Sequence, residues 1–270
     1  MHNHGPAPKE VPLASDNKKK KKAMRHVLDL FSGVGNFSLG LARAGGFRTI
    51  GFCEIDPTCH PVLQKHFPGV PIHQDITKLH GNDVQQPDVL CGGFPCQNLS
   101  VAGRGEGLAG DQSGLWFEYL RLIEETDPSW VIVENVAALR SRGLEEVLGG
   151  LSALGYAARW DCIPASALGA AHQRDRVWVV AHRSSERVQG LWSEGLPQPH
   201  TLAEPFLPLR DRDGQWEVIP DVRRTSYGHA SRLDGRVNTW GQRLHQIGNS
   251  VCPQIVEAIG REINRAEGLQ

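Results

Sequence analysis

A chain of 270 residues with 40% hydrophobic and 22% charged residues can hold one large α/β domain or a domain plus a small insert, and its composition is ordinary for a soluble globular protein. A formal net charge of -1 excludes a strongly basic protein, so any polyanion has to be met by a local patch. The six cysteines form no CxxC pair and no zinc-finger spacing, no apolar run reaches membrane-spanning length, and the polar N-terminus lacks a signal peptide's apolar core; a cytoplasmic protein with reduced thiols and no metal site is expected.

Residues 1–24 read as a disordered tail with an uninterrupted lysine run from Lys18 to Lys22. Such a run is a solvated, self-repelling segment, with a non-specific phosphate contact as its other reading. Order begins at Arg25. Val27-Leu-Asp-Leu-Phe31 reads as a short buried strand, Ser32-Gly-Val-Gly-Asn36 as a tight turn, and 37–44 as a helix stopped by Gly45-Gly46. Strand, glycine turn and helix open a doubly wound sheet that binds a nucleotide-like ligand, the glycines letting the backbone come close to it. Ser38 stands where the fingerprint G-x-G-x-x-G needs its third glycine, which argues against a pyrophosphate site.

The next strand, 49–54, ends on Glu54, about twenty positions after the turn, where this fold places a carboxylate for ribose hydroxyls. Pro57 suits the start of a helix over 58–67, and a short strand over 70–76 brings Asp75 to the same edge. A fourth strand runs from Val89, breaks at Gly92-Gly93 and delivers Cys96 directly after Pro95. Ligands bind at such carboxyl ends, so Cys96 is a candidate nucleophile; the plain alternative is an inert buried thiol. Residues 100–114 carry Gly103, Gly105, Gly107, Gly110 and Gly114 with little to pack, and read as a lid.

A helical period over 115–126 ends at Asp127-Pro128. Trp130-Val-Ile-Val-Glu-Asn-Val136 is a fifth strand carrying another carboxylate, Glu134, toward its end. Residues 143–154 read as a helix, 156–163 as a strand, and 175–181 as another strand preceded by His172-Gln-Arg174. From 184 to 245 the period dissolves into prolines, glycines and arginines, a small irregular subdomain or a long insertion, before a last helix over 254–265.

Glu54, Cys96, Glu134 and an arginine at 174 or 176 thus fall on one sheet edge. A thiolate can add to an electron-poor ring carbon, a carboxylic acid can donate a proton to a ring nitrogen, and an arginine can hold a ring carbonyl. That addition makes the neighbouring ring carbon nucleophilic toward an activated methyl group.

The chain resembles the DNA (cytosine-5)-methyltransferases of bacterial or bacteriophage type. Six stretches in the family's order carry the resemblance: Asp29-Leu-Phe-Ser-Gly-Val-Gly35, Glu54-Ile-Asp56, Gly92-Gly-Phe-Pro-Cys-Gln97, Glu134-Asn-Val136, Arg174-Asp-Arg176 and Gly248-Asn-Ser-Val251. It implies a doubly wound mixed sheet, the class I S-adenosylmethionine-dependent methyltransferase fold. The catalytic domain would comprise 25–183 plus 246–265, with a short target-recognition region over 184–245.

The resemblance also implies roles. S-adenosylmethionine would be bordered by Phe31, Gly33 and Gly35, the Phe31 ring against the adenine, with Glu54 on the ribose, Asp75 beside Ile76 on the adenine amino group, and Asn249, Ser250 and Val251 closing the pocket. Cys96 would attack C6 of a flipped-out cytosine, Glu134 would hold N3, Arg176 would contact the base carbonyl and Arg174 would order the site. Duplex DNA would be the substrate, a restriction endonuclease a separately acting companion, and the protein a monomer away from any membrane.

Two departures stand out. His172 occupies the place of the family's first glutamine in Gln-x-Arg-x-Arg, and the recognition region is short. A tRNA cytosine methyltransferase is the second reading, although such relatives generally lack the Pro95-Cys96-Gln97 form. A catalytically silent DNA-binding remnant is the third, countered by intact Cys96, Glu134 and Arg176.

Overall fold

The computed structural model describes residues 24–95, 114–170, 173–192, 201–202 and 250–269. The lysine run, Cys96, the expected lid up to residue 113, His172, Asn249 and most of the expected recognition region lie outside the described residues. Seven strands form one sheet: β1 (Arg25–Leu30), β2 (Phe47–Cys53), β3 (Ile72–His73), β4 (Val89–Gly92), β5 (Trp130–Val136), β6 (Ala157–Ile163) and β7 (Arg176–His182). Their order is β3-β2-β1-β4-β5-β7-β6. The first five are parallel, whereas β7 lies antiparallel to both β5 and β6. The described helices are α1 (Asn36–Ala44), α2 (His60–His66), α3 (Gly114–Thr126), α4 (Leu139–Arg142), α5 (Leu144–Ala153), α6 (Ser185–Gln189) and α7 (Pro253–Ala266). This is the expected doubly wound mixed sheet.

Alternation along the strands builds two apolar layers. Val27, Val89, Ile132 and Val180 face one way, onto Phe37 and Leu41 of α1 and Val256 and Ile259 of α7. Leu28, Leu90, Val131 and Val179 face the other way, onto Trp116, Tyr119 and Ile123 of α3 and Leu151 of α5. The central strands are covered on both faces, which is why they read as continuous apolar runs.

Helix α7 packs on α1 at glycine distance. A Cβ at Gly40 would stand 2.5 Å from Val256 Cβ and 2.6 Å from the Pro253 carbonyl oxygen, and one at Gly260 would stand 2.6 Å from Ala44 Cβ. Asn264 of α7 donates to the Ala44 and Gly45 carbonyls at 3.1 and 3.0 Å, satisfying the end of α1.

Local chemistry moves several boundaries. Asp56 accepts from the Thr58 amide at 2.8 Å and its hydroxyl at 2.7 Å, a side-chain turn that delays α2 to His60. The expected strand over 70–76 shrinks to Ile72–His73, because Asp75 instead caps a short 3-10 turn, Ile76–Lys78, by accepting from the Thr77 amide. Gly114 begins α3 rather than closing the preceding loop. The described cysteines 53, 59, 91, 162 and 252 are all free. Among the described residues no helix is long and apolar enough to cross a membrane.

Candidate active site

The site lies where the strand order turns, between β1 and β4, at the carboxyl ends of the parallel strands. The chain leaves β1 through a strained turn: Phe31 has φ 52°, Gly33 φ 54° and Gly35 φ 87°. A phenylalanine in the left-handed region costs about 1–3 kcal/mol and persists only where its surroundings hold it. Its ring stacks on Tyr119, centroids 6.3 Å apart and planes 22° apart.

The two glycines serve different ends. A Cβ at Gly33 would meet nothing within 4 Å, so that position is open to a ligand. A Cβ at Gly35 would stand 2.7 Å from the Phe67 ring and 3.0 Å from Leu63, so Gly35 lets α2 approach the turn.

Ser38 also has its own work. Asp29 is fully buried and its Oδ2 accepts from the Ser38 hydroxyl at 2.7 Å and amide at 3.2 Å. Burial pushes the Asp29 carboxyl up to about 8, against the pull of those bonds, which favours its acid form. The third position of the turn motif is thus a hydrogen-bond donor for the strand, where a pyrophosphate fold would need glycine.

Glu54 is 8% exposed and clasps the turn: Oε2 accepts from the Gly33 amide at 2.6 Å, and Oε1 from the Asp56 amide at 2.8 Å. Burial raises its pKa, and the two amide bonds oppose the rise. Beside it in sequence, the apolar Ile55 is 75% exposed. Asp75 is partly exposed, engaged with Thr77 and, at 3.4 Å, with Lys78; its Thr77 bonds hold its pKa below the usual range.

The opposite wall comes from β4, β5 and β7. Glu134 is 7% exposed, and its Oε1 lies 3.0 Å from Arg176 Nε. Burial raises the Glu134 pKa, and the guanidiniums of Arg176 and Arg174 pull it back. A Cβ at Gly93 would stand 2.6 Å from Glu134 Oε2, so only glycine lets this carboxyl lie against the segment leading to Cys96. Asn135 donates to the Phe94 carbonyl at 3.1 Å, fixing the same segment two residues before Cys96. Arg176 reaches this edge because it starts an antiparallel strand, opposite Val136 at the end of β5. Arg174 adopts φ 39° and donates to the Ser250 carbonyl at 2.5 Å. Burial lowers its pKa.

A small cleft joins the two walls, lined by Phe31, Ser32 and Gly33 on one side, Gly93 and Glu134 on the other, and Asn36, Phe37, Ser250 and Val251 behind. Of the expected site residues, the cleft brings together Phe31, Gly33, Glu134 and Ser250, with Arg174 and Arg176 holding two of its lining groups. Gly35, Glu54, Asp75 and Ile76 do not line it among the described residues.

The model of the C-5 cytosine-specific DNA methylase family matches residues 25–227. The chain belongs to that family. It is 35% identical over 298 aligned positions to the Type II methyltransferase M2.BsuMI of Bacillus subtilis (strain 168), covering 90% of this chain and 76% of that protein. It is 34% identical to the Type II methyltransferase M.Bsp6I of Bacillus sp. (strain RFL6), covering 88% and 78%. Among solved structures, the Entamoeba histolytica methyltransferase EhMeth superposes with a TM-score of 0.67 at 14% identity, over 92% of this chain and 99% of that one. A prophage-encoded Escherichia coli protein does so with 0.62 at 20%, over 90% and 99%. These structural likenesses establish the fold.

In this DNA methylase, the cleft residues that the sequence left unassigned are Ser32, Asn36, Phe37 and Gly93. Gly93 carried a readable signal, a second glycine at a strand end. Asn36 carried none, because its partner lies 215 residues away.

Proposed function

We propose that this DNA methylase transfers a methyl group from S-adenosylmethionine to C5 of a cytosine flipped out of duplex DNA, through a covalent bond between Cys96 Sγ and C6. The observation that carries the reading is the Glu134 carboxyl, held 3.0 Å from Arg176 and against Gly93, in one cleft with the glycine turn. The donor set fits the cofactor. The open Gly33 position, the buried Glu54 carboxylate and exposed Ile55 offer contacts for a backbone-hugging chain, a ribose and an adenine respectively. Phe31, Gly35, Asp75, Ile76, Asn249 and Ser250 complete its surroundings. When bound, S-adenosylmethionine supplies an electrophilic methyl group.

The residues do the rest. The Cys96 thiolate adds to C6 while Glu134, kept toward its acid form by burial, donates a proton to N3. Arg176 holds Glu134 and offers its remaining N–H groups to the base carbonyl. C5 then takes the methyl group, the C5 proton passes to water, and the adduct collapses as the Cys96 thiolate leaves C6 and N3 returns its proton to Glu134. Flipping is required because C5 and C6 are out of reach in a stacked duplex. The target sequence would be read by the region over 184–245, by a monomer in the cytoplasm. The relatives' Type II names support a separate restriction endonuclease as companion.

Incubation with genomic DNA and S-adenosylmethionine, followed by sequencing that detects 5-methylcytosine, should show methylation confined to one short sequence. Cys96→Ser should abolish it. Duplex DNA carrying 5-fluorocytosine in that sequence should trap the wild-type protein covalently and leave Cys96→Ser untrapped. Label entering only tRNA would overturn the DNA reading, and no adduct with any DNA would favour a silent remnant.

A further inference from the structure

We propose that Asn36 is a cofactor-positioning residue, whose side-chain amide sets the back wall of the cleft by holding the carbonyl of Val251. The proposal rests on the reading of this cleft as the S-adenosylmethionine site. Asn36 is the first residue of α1, 2% exposed, and lines the cleft directly after the glycine turn. Burying a primary amide is unfavourable unless it is hydrogen-bonded. Asn36 Nδ2 donates to the Val251 carbonyl at 2.9 Å, a buried contact across 215 residues.

The neighbouring carbonyl is tied from the other side. Ser250 O accepts from Arg174 Nη2 at 2.5 Å, and Arg174 holds a left-handed backbone, φ 39°, while making that bond. Two consecutive carbonyls of one short segment are thus held by two different walls: one by the turn that follows β1, the other by the segment that leads into β7. Both residues of the segment, Ser250 and Val251, line the cleft.

These bonds are not what holds the last helix on the domain. Helix α7 is anchored by its close approach to Gly40, Leu41 and Ala44, by the Asn264 bonds to the end of α1, and by buried Ile255, Val256 and Ile259. The Asn36 bond instead fixes the position of two residues that face the ligand. An alanine at 36 would leave the helix packed and the wall free to shift by the length of a hydrogen bond.

The test uses the full chain, genomic DNA as methyl acceptor, and S-adenosylhomocysteine as the calorimetric probe. In Asn36→Ala, the KM for S-adenosylmethionine and the Kd for S-adenosylhomocysteine should rise about tenfold, as expected for an abandoned buried acceptor, with a much smaller change in kcat. Asn36→Asp keeps the volume and removes the donor, so it carries the test even if the alanine variant does not fold. Its ionised carboxylate faces a carbonyl at pH 8, and its Kd should exceed that of Asn36→Ala there. At pH 6 the buried acid takes up a proton, regains a donor, and should recover most of the affinity relative to wild type. A loss confined to kcat, an unchanged Kd, or an Asn36→Asp defect with the same ratio to wild type at both pH values would overturn the proposal. Wild-type protein that bound no S-adenosylhomocysteine would overturn the cofactor reading beneath it.

Discussion

Asp29 is a carboxyl fully buried in the sheet. It sits in the middle of the sheet, and both its protonation and its partner follow from that position. Its folded pKa of about 8 lies above its ordinary 3.8, so the folded chain holds a proton that the unfolded chain has released. The stability this contributes is complete below about pH 4 and is lost as pH rises through 8. Asp29→Asn can still accept from Ser38 and cannot titrate. Thermal melts at pH 5 and pH 9 should therefore differ less for Asp29→Asn than for wild type, the variant gaining relative stability on the alkaline side. At Gly93 the argument is steric. Alanine there puts a carbon 2.6 Å from where Glu134 Oε2 now lies, so the carboxyl has to move. A displacement of about 1 Å can cost roughly 10²-fold in rate. Gly93→Ala should lower kcat by about that factor while S-adenosylhomocysteine binding, measured by calorimetry, stays within about twofold.

At the scale of elements, the α1–α7 crossing is close-packed, and glycine makes it so. Gly40 and Gly260 sit in helix interiors, where glycine costs about 1 kcal/mol of helix propensity. The cost is offset because each removes a clash and lets Leu41, Val256 and Ile259 share one apolar layer. Gly40→Val would place two methyl groups into Val256 and the Pro253 carbonyl. Overpacking of this kind costs about 1–3 kcal/mol or more. The midpoint of thermal unfolding should fall by several degrees, about 2–4 °C per kcal/mol for a domain near this size. At Gly149, where a Cβ would meet nothing within 4 Å, the same measurement on Gly149→Ala should show no loss. The boundaries that differed from the sequence reading belong to this scale too. Asp56 and Asp75 each turn their side chain onto an amide two residues ahead, and such local bonds win over strand or helix extension.

For the whole molecule, the last helix completes the first layer of the core. Residues 250–269 bring Val256, Ile259 and Ile263 onto a face otherwise formed by Phe37, Leu41 and Trp178. A chain ending at residue 249 would leave that face open to water, several large apolar side chains at roughly 1.5–3 kcal/mol each. Such a chain should show no cooperative heat-absorption peak in calorimetry, and it should expose enough apolar surface to bind a hydrophobic dye. The segment after 249 thus serves both the core, through its helix, and the cleft, through Ser250 and Val251.

The sequence by itself determined the fold class, the family and most of the elements. Strand β5 falls at the residues its apolar run predicts, because a strand buried on both faces leaves an uninterrupted signature. The glycine turn, Glu54, Glu134 and the arginines were legible as ordered local motifs, each readable within a few residues. What the tertiary structure alone decided is which of them meet. Arg176 stands beside Glu134 because β7 enters the sheet antiparallel between β5 and β6; a parallel strand would have put its start at the far edge. Gly35 serves α2, Ser38 serves Asp29, and Asn36 reaches Val251, all through contacts between segments. Such contacts depend on sheet order and helix approach, and these are set by burial of the whole chain, which no single stretch encodes.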